Sequence, residues 1–177
     1  MKNLFVFVLI MLFGYQVSEA QQVNQQLYDS TLNEDILTGP CTRDALLEND
    51  FGSIFKSEYK LYKPLKQVIS ELKEEVGNID EIVIVFGVWC GDSQEQVPRF
   101  MKVVDKAGIP SEHLTIIAVN RKKDAVVEDI SSYNIKRVPT FIVYQNGKEL
   151  GRIVESPSET LEEDLLAIAK NVETNKK

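Results

Sequence analysis

The feature that most constrains the fold is an uninterrupted apolar run, residues 82–86, in which every side chain is β-branched or aromatic. The run lacks the alternation of a half-buried strand, so it predicts a central strand that is buried on both faces. Cys90 follows a few residues later, and apolar residues then recur at helical spacing as far as Gly108. The sequence therefore places Cys90 where a buried strand becomes a helix.

Patterns on both sides of this unit predict an α/β fold. A second buried strand is expected at residues 114–119, and residues 138–144 and 149–154 are expected to form a hairpin around Asn146-Gly147. Helices are expected at residues 42–60, 64–76 and 124–133, and a closing helix from Ser156, with Pro157 in its first turn and Glu159 completing a capping box. This order of elements requires a central mixed sheet, of about four strands, flanked by helices.

The first segment, residues 1–20, has the pattern of a signal peptide. Lys2 gives a positive start, residues 4–13 are apolar and uncharged, and Ser18 and Ala20 are the small residues that a signal peptidase reads. We expect cleavage after Ala20 and an exported protein, periplasmic or secreted, without stable membrane insertion. The alternative is an uncleaved anchor, although the apolar run is shorter than the roughly 20 residues of a membrane helix.

The rest of the chain is expected to form one domain with extensions. Residues 21–41 are polar and predict a flexible tether, residues 42–60 a helical extension, residues 61–172 the main domain, and residues 173–177 a frayed tail.

The composition of the chain limits the classes of partner that it is expected to bind. The formal net charge is −7 and no basic stripe is present, which argues against binding of nucleic acid. One histidine and two cysteines cannot form a zinc site of four Cys or His ligands. We therefore expect no metal and no cofactor.

Several motifs occur in a fixed order along the main domain. They are Trp89-Cys90-Gly91, Pro98, residues 137–141 and residues 146–151. Together they resemble the thioredoxin family over residues 61–172. The resemblance implies a thioredoxin fold and thiol-disulfide exchange with protein or small-molecule thiols and disulfides. The residues before 61 look helical, so we expect the family's first strand to be absent here and replaced by the N-terminal helical extension.

The resemblance places a site in two segments. Cys90 would be the reactive thiol, and Ser93 occupies the position of the family's second cysteine. Pro139 matches the family's cis-proline, which implies that the neighbouring backbone lies beside Cys90 and pairs with an extended substrate. The substrate-binding residues implied in this way are Trp89, Gly91, Asp92, Val138, Pro139 and Thr140.

The position of Cys90 also carries a chemical argument of its own. A thiol at a helix N-terminus faces unpaired N–H groups and the positive end of the helix dipole, which favour the thiolate. The carboxylate of Asp92 opposes this effect. Ser93 can donate a hydrogen bond to the thiolate but cannot attack a mixed disulfide. Ile84 stands where many family members carry a buried acid, so resolution must come from elsewhere.

Three functions remain open from the sequence. In the first, Cys90 forms mixed disulfides that a small thiol or a partner protein resolves. In the second, Cys41 resolves them or pairs with Cys90, which requires Cα atoms within about 7 Å. In the third, the fold is a catalytically inactive peptide-binding or assembly module, because a fold does not imply its usual activity. The oligomeric state does not follow from the sequence.

Overall fold

The computed structural model describes residues 23–170. Over this range the strands form a six-stranded mixed sheet in the order β1-β2-β4-β3-β5-β6. The strands are β1 (Gln25–Asp29), β2 (Glu34–Pro40), β3 (Glu81–Phe86), β4 (Leu114–Ala118), β5 (Thr140–Gln145) and β6 (Lys148–Val154). The helices are α1 (Asn49–Leu61), α2 (Lys66–Glu75), α3 (Gly91–Ala107) and α4 (Leu161–Lys170). The α/β class is thus confirmed, with two more strands than expected.

Strand β3 is the centre of the molecule, as its sequence predicts. It pairs in parallel with β4 on one side and antiparallel with β5 on the other. Ile82, Ile84 and Phe86 point into a core formed with all four helices. Val83 and Val85 point to the opposite face, where a smaller cluster is covered by residues between β4 and β5.

The segment expected to be a flexible tether is instead an N-terminal hairpin. Strands β1 and β2 pair antiparallel from Gln25 opposite Thr38 to Asp29 opposite Glu34, and β2 joins the sheet beside β4. The prediction failed because β1 is exposed on both faces and therefore lacks apolar alternation, while β2 buries Ile36 and Thr38. A strand at the sheet edge thus precedes the helical extension, which was expected to replace the first strand.

The prediction of a helix at residues 124–133 is also wrong. The segment consists of turns, and its only helical element is a 3-10 turn, Ser131–Tyr133. The Asp124 carboxylate accepts the N–H of Val126, and the Asp129 carboxylate accepts the N–H of Ser131. Such local bonds compete with a helical ladder, which explains why the apolar spacing here did not produce a helix.

The closing helix begins later than its sequence suggests. Helix α4 is capped by Thr160, whose Oγ1 accepts the N–H of Glu163 at 3.3 Å and donates to the Glu163 carboxylate at 2.8 Å. Residues 156–159 form a loop before it. The same Ser/Thr-x-x-Glu motif therefore occurs twice in succession, and the second copy, not the first, caps the helix.

The expected signal peptide, residues 1–20, and the expected tail, residues 173–177, lie outside the described residues. Within residues 23–170, no helix is both long enough and apolar enough to cross a membrane.

Candidate functional site

The turn between β3 and α3 holds Cys90 at the start of the helix. Cys90 is the N-cap of α3. Its N–H donates to the carbonyl of Gly87 at 2.9 Å, and its own carbonyl accepts the N–H of Gln94 at 2.9 Å. These two bonds fix the backbone on both sides of the thiol. Cys90 therefore directly precedes the free N–H groups of the first helical turn.

The segment before β5 lies directly against Cys90. The Cys90 Sγ is 3.3 Å from the carbonyl oxygen of Val138 and donates to it. The Val138–Pro139 peptide bond is cis. Val138 and Thr140 are buried, and the Thr140 hydroxyl donates to the carbonyl of Arg137 at 2.7 Å. The structure thus brings together the two segments that the sequence places at the site.

Trp89 is held on several sides. Its Nε1 donates to the carbonyl of Val119 at 2.8 Å, and the Arg121 guanidinium carbon lies 5.3 Å from the centroid of the ring. A Cβ at Gly87 would come within 2.5 Å of the indole, so only glycine allows this close approach. The indole is therefore a fixed part of the surface next to Cys90.

Among the described contacts, the hydrogen bond of the Ser93 side chain is to the backbone and not to the thiol. The Ser93 side chain is fully buried, and its Oγ accepts the N–H of Gly87 at 3.2 Å. The expected hydrogen bond from Ser93 to Cys90 is absent from the described contacts, and the hydroxyl instead closes the turn. Gly91 and Asp92 are exposed in the first turn of α3, and Ile84 is buried among apolar side chains.

The structure does not bring Cys41 to Cys90, and both thiols are free. Cys41 continues β2, and its N–H donates to the carbonyl of Ile116 on β4. Strand β4 therefore lies between Cys41 and β3, and neighbouring strands are about 4.8 Å apart. Cys90 lies beyond the end of β3. A disulfide between the two cysteines would require movement of the backbone.

The environment of Cys41 also disfavours reactivity. Cys41 packs against the larger core, and its Sγ donates to the carbonyl of Gly39 at 3.1 Å. Burial raises the pKa of the Cys41 thiol to about 12, and the N–H of Ala118 lowers it by less. The thiolate needed for attack is therefore scarce at neutral pH.

Arg121 is a site neighbour that sequence reasoning missed. It begins a basic run, residues 121–123, which is typical of a solvated turn. The order of the strands could have placed Arg121 near the site. Arg121 follows the end of β4 as Trp89 follows the end of β3, and parallel strands end at the same edge of a sheet.

Within residues 23–170, no group of three or more His, Cys, Asp or Glu side chains is placed to hold a metal ion. The arrangement around Cys90 offers a thiol and backbone groups.

The fold and the thiol at the start of α3 define a thioredoxin-like class of protein. The family model described as Thioredoxin matches residues 64–167, more than half of the 177-residue chain. The chain therefore belongs to the thioredoxin family. The match begins after α1 and leaves the N-terminal hairpin outside it.

Individual relatives support the same assignment. The chain is 29% identical over 89 residues to "Thioredoxin Y, chloroplastic" of Oryza sativa subsp. japonica, which covers 49% of this chain and 50% of that protein. It is 26% identical over 84 residues to "Thioredoxin H9" of Arabidopsis thaliana, covering 48% and 56%. It is 28% identical over 98 residues to "Thioredoxin" of Mycoplasma genitalium, covering 55% and 84%. The chain thus spans about half the length of the two plant proteins.

Proposed function

We propose that this protein is a thiol-disulfide oxidoreductase of the exported compartment that acts through Cys90 alone. The observation that carries the proposal is the position of Cys90 at the start of α3, with its Sγ against the backbone of Val138. A half-buried thiol at a helix N-terminus is accessible to a disulfide, and helix N-termini are among the positions where reactive cysteines occur. Family membership supports the same chemistry.

The first step is attack of the Cys90 thiolate on one sulfur of a disulfide R–S–S–R′. The bond between Cys90 and R–S forms as the S–S bond breaks, and R′–S⁻ leaves with the electron pair. The backbone of Val138 and Thr140 would align an extended substrate chain during this attack. The product is a mixed disulfide on Cys90.

The second step needs a thiol from outside the chain. Ser93 carries no sulfur and its oxygen is engaged by the N–H of Gly87. Cys41 is separated from the site by β4 and is disfavoured as a thiolate. An external thiolate R″–S⁻ therefore attacks the mixed disulfide, forms R–S–S–R″ and returns Cys90 as a thiolate. The protein is regenerated without a second cysteine of its own.

Glutathione disulfide tests this mechanism. We expect the reduced protein to take up one glutathione on Cys90, seen by intact mass and peptide mapping, and to release it when reduced glutathione is added. The adduct should form faster than on a synthetic peptide of residues 87–93, because the peptide lacks the helix N-terminus. Cys90→Ala should form no adduct, and Cys41→Ala is the matched control that should.

The alternative function, a catalytically inactive peptide-binding or assembly module, has one observation in its favour. Ser93 and the buried Ile84 provide neither a second thiol nor a carboxyl group at the site. The same experiment separates the two functions. Adduct formation no faster than on the peptide would exclude the oxidoreductase and favour the binding module.

Export is the part of the proposal that rests on residues 1–20, whose sequence has the pattern of a signal peptide. The expected mature chain begins at Gln21. N-terminal sequencing of the protein from its own cells tests this. Recovery of the chain with residues 1–20 still attached would contradict it.

A further inference from the structure

Arg121 links three parts of the molecule around Trp89. Its guanidinium lies over the indole, and its Nε donates to the carboxylate of Asp29 at 3.1 Å. Asp29 ends β1 and so belongs to the N-terminal hairpin, outside the segment that the family model matches. Arg121 therefore connects the N-terminal hairpin, which lies outside the matched segment, to the Trp89 indole.

The direction of the hairpin brings its turn to the same edge of the sheet as the thiol. Strand β2 pairs with β4 through Gly39 and Pro40, opposite Ala118 and Ile117. Because the two strands are antiparallel, the earlier residues of β2 extend past the end of β4. The end of β3 lies beside the end of β4. The hairpin turn thus extends from the same edge of the sheet as the segment that carries Cys90.

The Asp29 carboxylate both shapes the turn and holds it to Arg121. It accepts the N–H of Thr31 at 2.8 Å and the N–H of Leu32 at 3.3 Å. Partial burial raises the pKa of Asp29, but these two hydrogen bonds and the charge of Arg121 outweigh it and hold the pKa below its usual value. The group is ionised at neutral pH, so the ion pair is present.

We propose that Arg121 is a positioning residue that fixes the N-terminal hairpin as a wall beside Cys90, and that this wall selects substrates by width. Small disulfides and slim, extended polypeptides reach the thiol, and broad folded surfaces are held away. The biological meaning of this selection rests on the proposed function of Cys90. The position of the hairpin beside Cys90 does not depend on that function.

The guanidinium is suited to this role because it can stack on an aromatic ring and bind a carboxylate at its edge at the same time. A lysine ammonium keeps the charge but not the flat stacking surface. Arg121→Lys should therefore restore part of what Arg121→Gln loses.

Two neutral maleimides of different size test the wall. N-Ethylmaleimide and a polyethylene-glycol maleimide react with a thiolate by the same chemistry, so the ratio of their rate constants at Cys90 isolates access from thiolate content. We expect the ratio of bulky to small reagent to rise several-fold in Arg121→Gln and in Asp29→Asn. Lys122→Gln removes the same charge from an exposed neighbour and should leave the ratio unchanged.

A second readout does not depend on the thiol. The chain has one tryptophan, so its fluorescence reports on Trp89 alone, and acrylamide should quench it more strongly in Arg121→Gln than in Lys122→Gln. In Asp29→Asn the amide oxygen still accepts the turn N–H groups, so this variant remains informative if Arg121→Gln folds poorly.

The proposed wall would be contradicted by equal rate-constant ratios and equal acrylamide quenching in Arg121→Gln, Asp29→Asn and Lys122→Gln. If glutathione forms its adduct normally in that case, the proposed function stands without the wall. If the variants change the ratio but the parent forms no adduct, the wall stands and the proposed function fails.

Discussion

At the scale of single residues, the two cysteines have opposite surroundings. Cys90 is at a helix start with a neighbouring strand segment in reach, whereas Cys41 packs into the larger core beside β4. The sequence identified Cys90 as the reactive thiol but left open whether Cys41 reaches it, because the position of Cys41 depends on the pairing of β2 with β4.

The surroundings of Cys41 predict an alkaline loss of stability. Burial raises its pKa from 9.0 to about 12, so the folded protein binds this proton more tightly than the unfolded chain does. The stabilising contribution is complete below pH 9 and is lost as the pH rises towards 12, at up to about 1.4 kcal/mol per pH unit. Urea unfolding at a series of alkaline pH values should show a steeper decline for the parent than for Cys41→Ala. Parallel declines would contradict the burial of this thiol.

The proposed mechanism predicts that Ser93 limits turnover. Ser93→Cys should place a second thiol in the first turn of α3 and allow both halves of a disulfide to leave as thiols while the protein forms its own disulfide. With an aromatic disulfide whose thiolate is coloured, the variant should release two equivalents of thiolate per protein and the parent one. Ser93→Ala is the control and should release one. One equivalent from Ser93→Cys would show that the site cannot support a resolving cysteine.

At the scale of elements, the turn from β3 to α3 depends on the absence of a side chain at Gly87. Gly87→Ala would drive a Cβ to within 2.5 Å of the Trp89 ring, and such overpacking costs on the order of 2 kcal/mol. We expect lower thermal stability together with altered Trp89 fluorescence. Gly91→Ala is the matched control, because a Cβ there meets nothing within 4 Å. Equal effects of the two substitutions would contradict the packing described here.

The start of α4 gives a second prediction at this scale. Thr160→Ala removes the cap and should lower the free energy of unfolding by about 1 kcal/mol. Ser156→Ala changes the earlier copy of the same motif and should have little effect, because Ser156 lies in the loop before the helix. Denaturant unfolding of the two variants distinguishes the copies. A larger loss in Ser156→Ala would restore the capping expected from the sequence.

At the scale of the whole molecule, the elements that the sequence predicted best are those whose pattern has one physical meaning. The continuous apolar run of β3 predicts a central strand, and Asn146-Gly147 takes the positive φ angles of a tight hairpin turn. The N-terminal hairpin was missed because an exposed edge strand needs no apolar pattern. The turns at residues 124–133 were predicted as a helix, and the reason for the difference is that Asp side chains there accept N–H groups two residues further along the chain.

The candidate site was predictable in part for the same reason. Cys90, Trp89 and Pro139 belong to short motifs that can be read along the chain. The bond from Ser93 to Gly87 and the contact of Arg121 with Trp89 depend on how separate segments meet. Long-range contacts of this kind do not appear in local sequence patterns.

The central claim is that Cys90 captures disulfide partners and needs an external thiol to release them. The direct test is to quench cells with acid, block free thiols with an alkylating agent and separate proteins without reduction. Mixed disulfides of this protein should appear in the parent and in Cys41→Ala, disappear on reduction and be absent from Cys90→Ala. Mixed disulfides that persist in Cys90→Ala, or none in the parent, would contradict the claim.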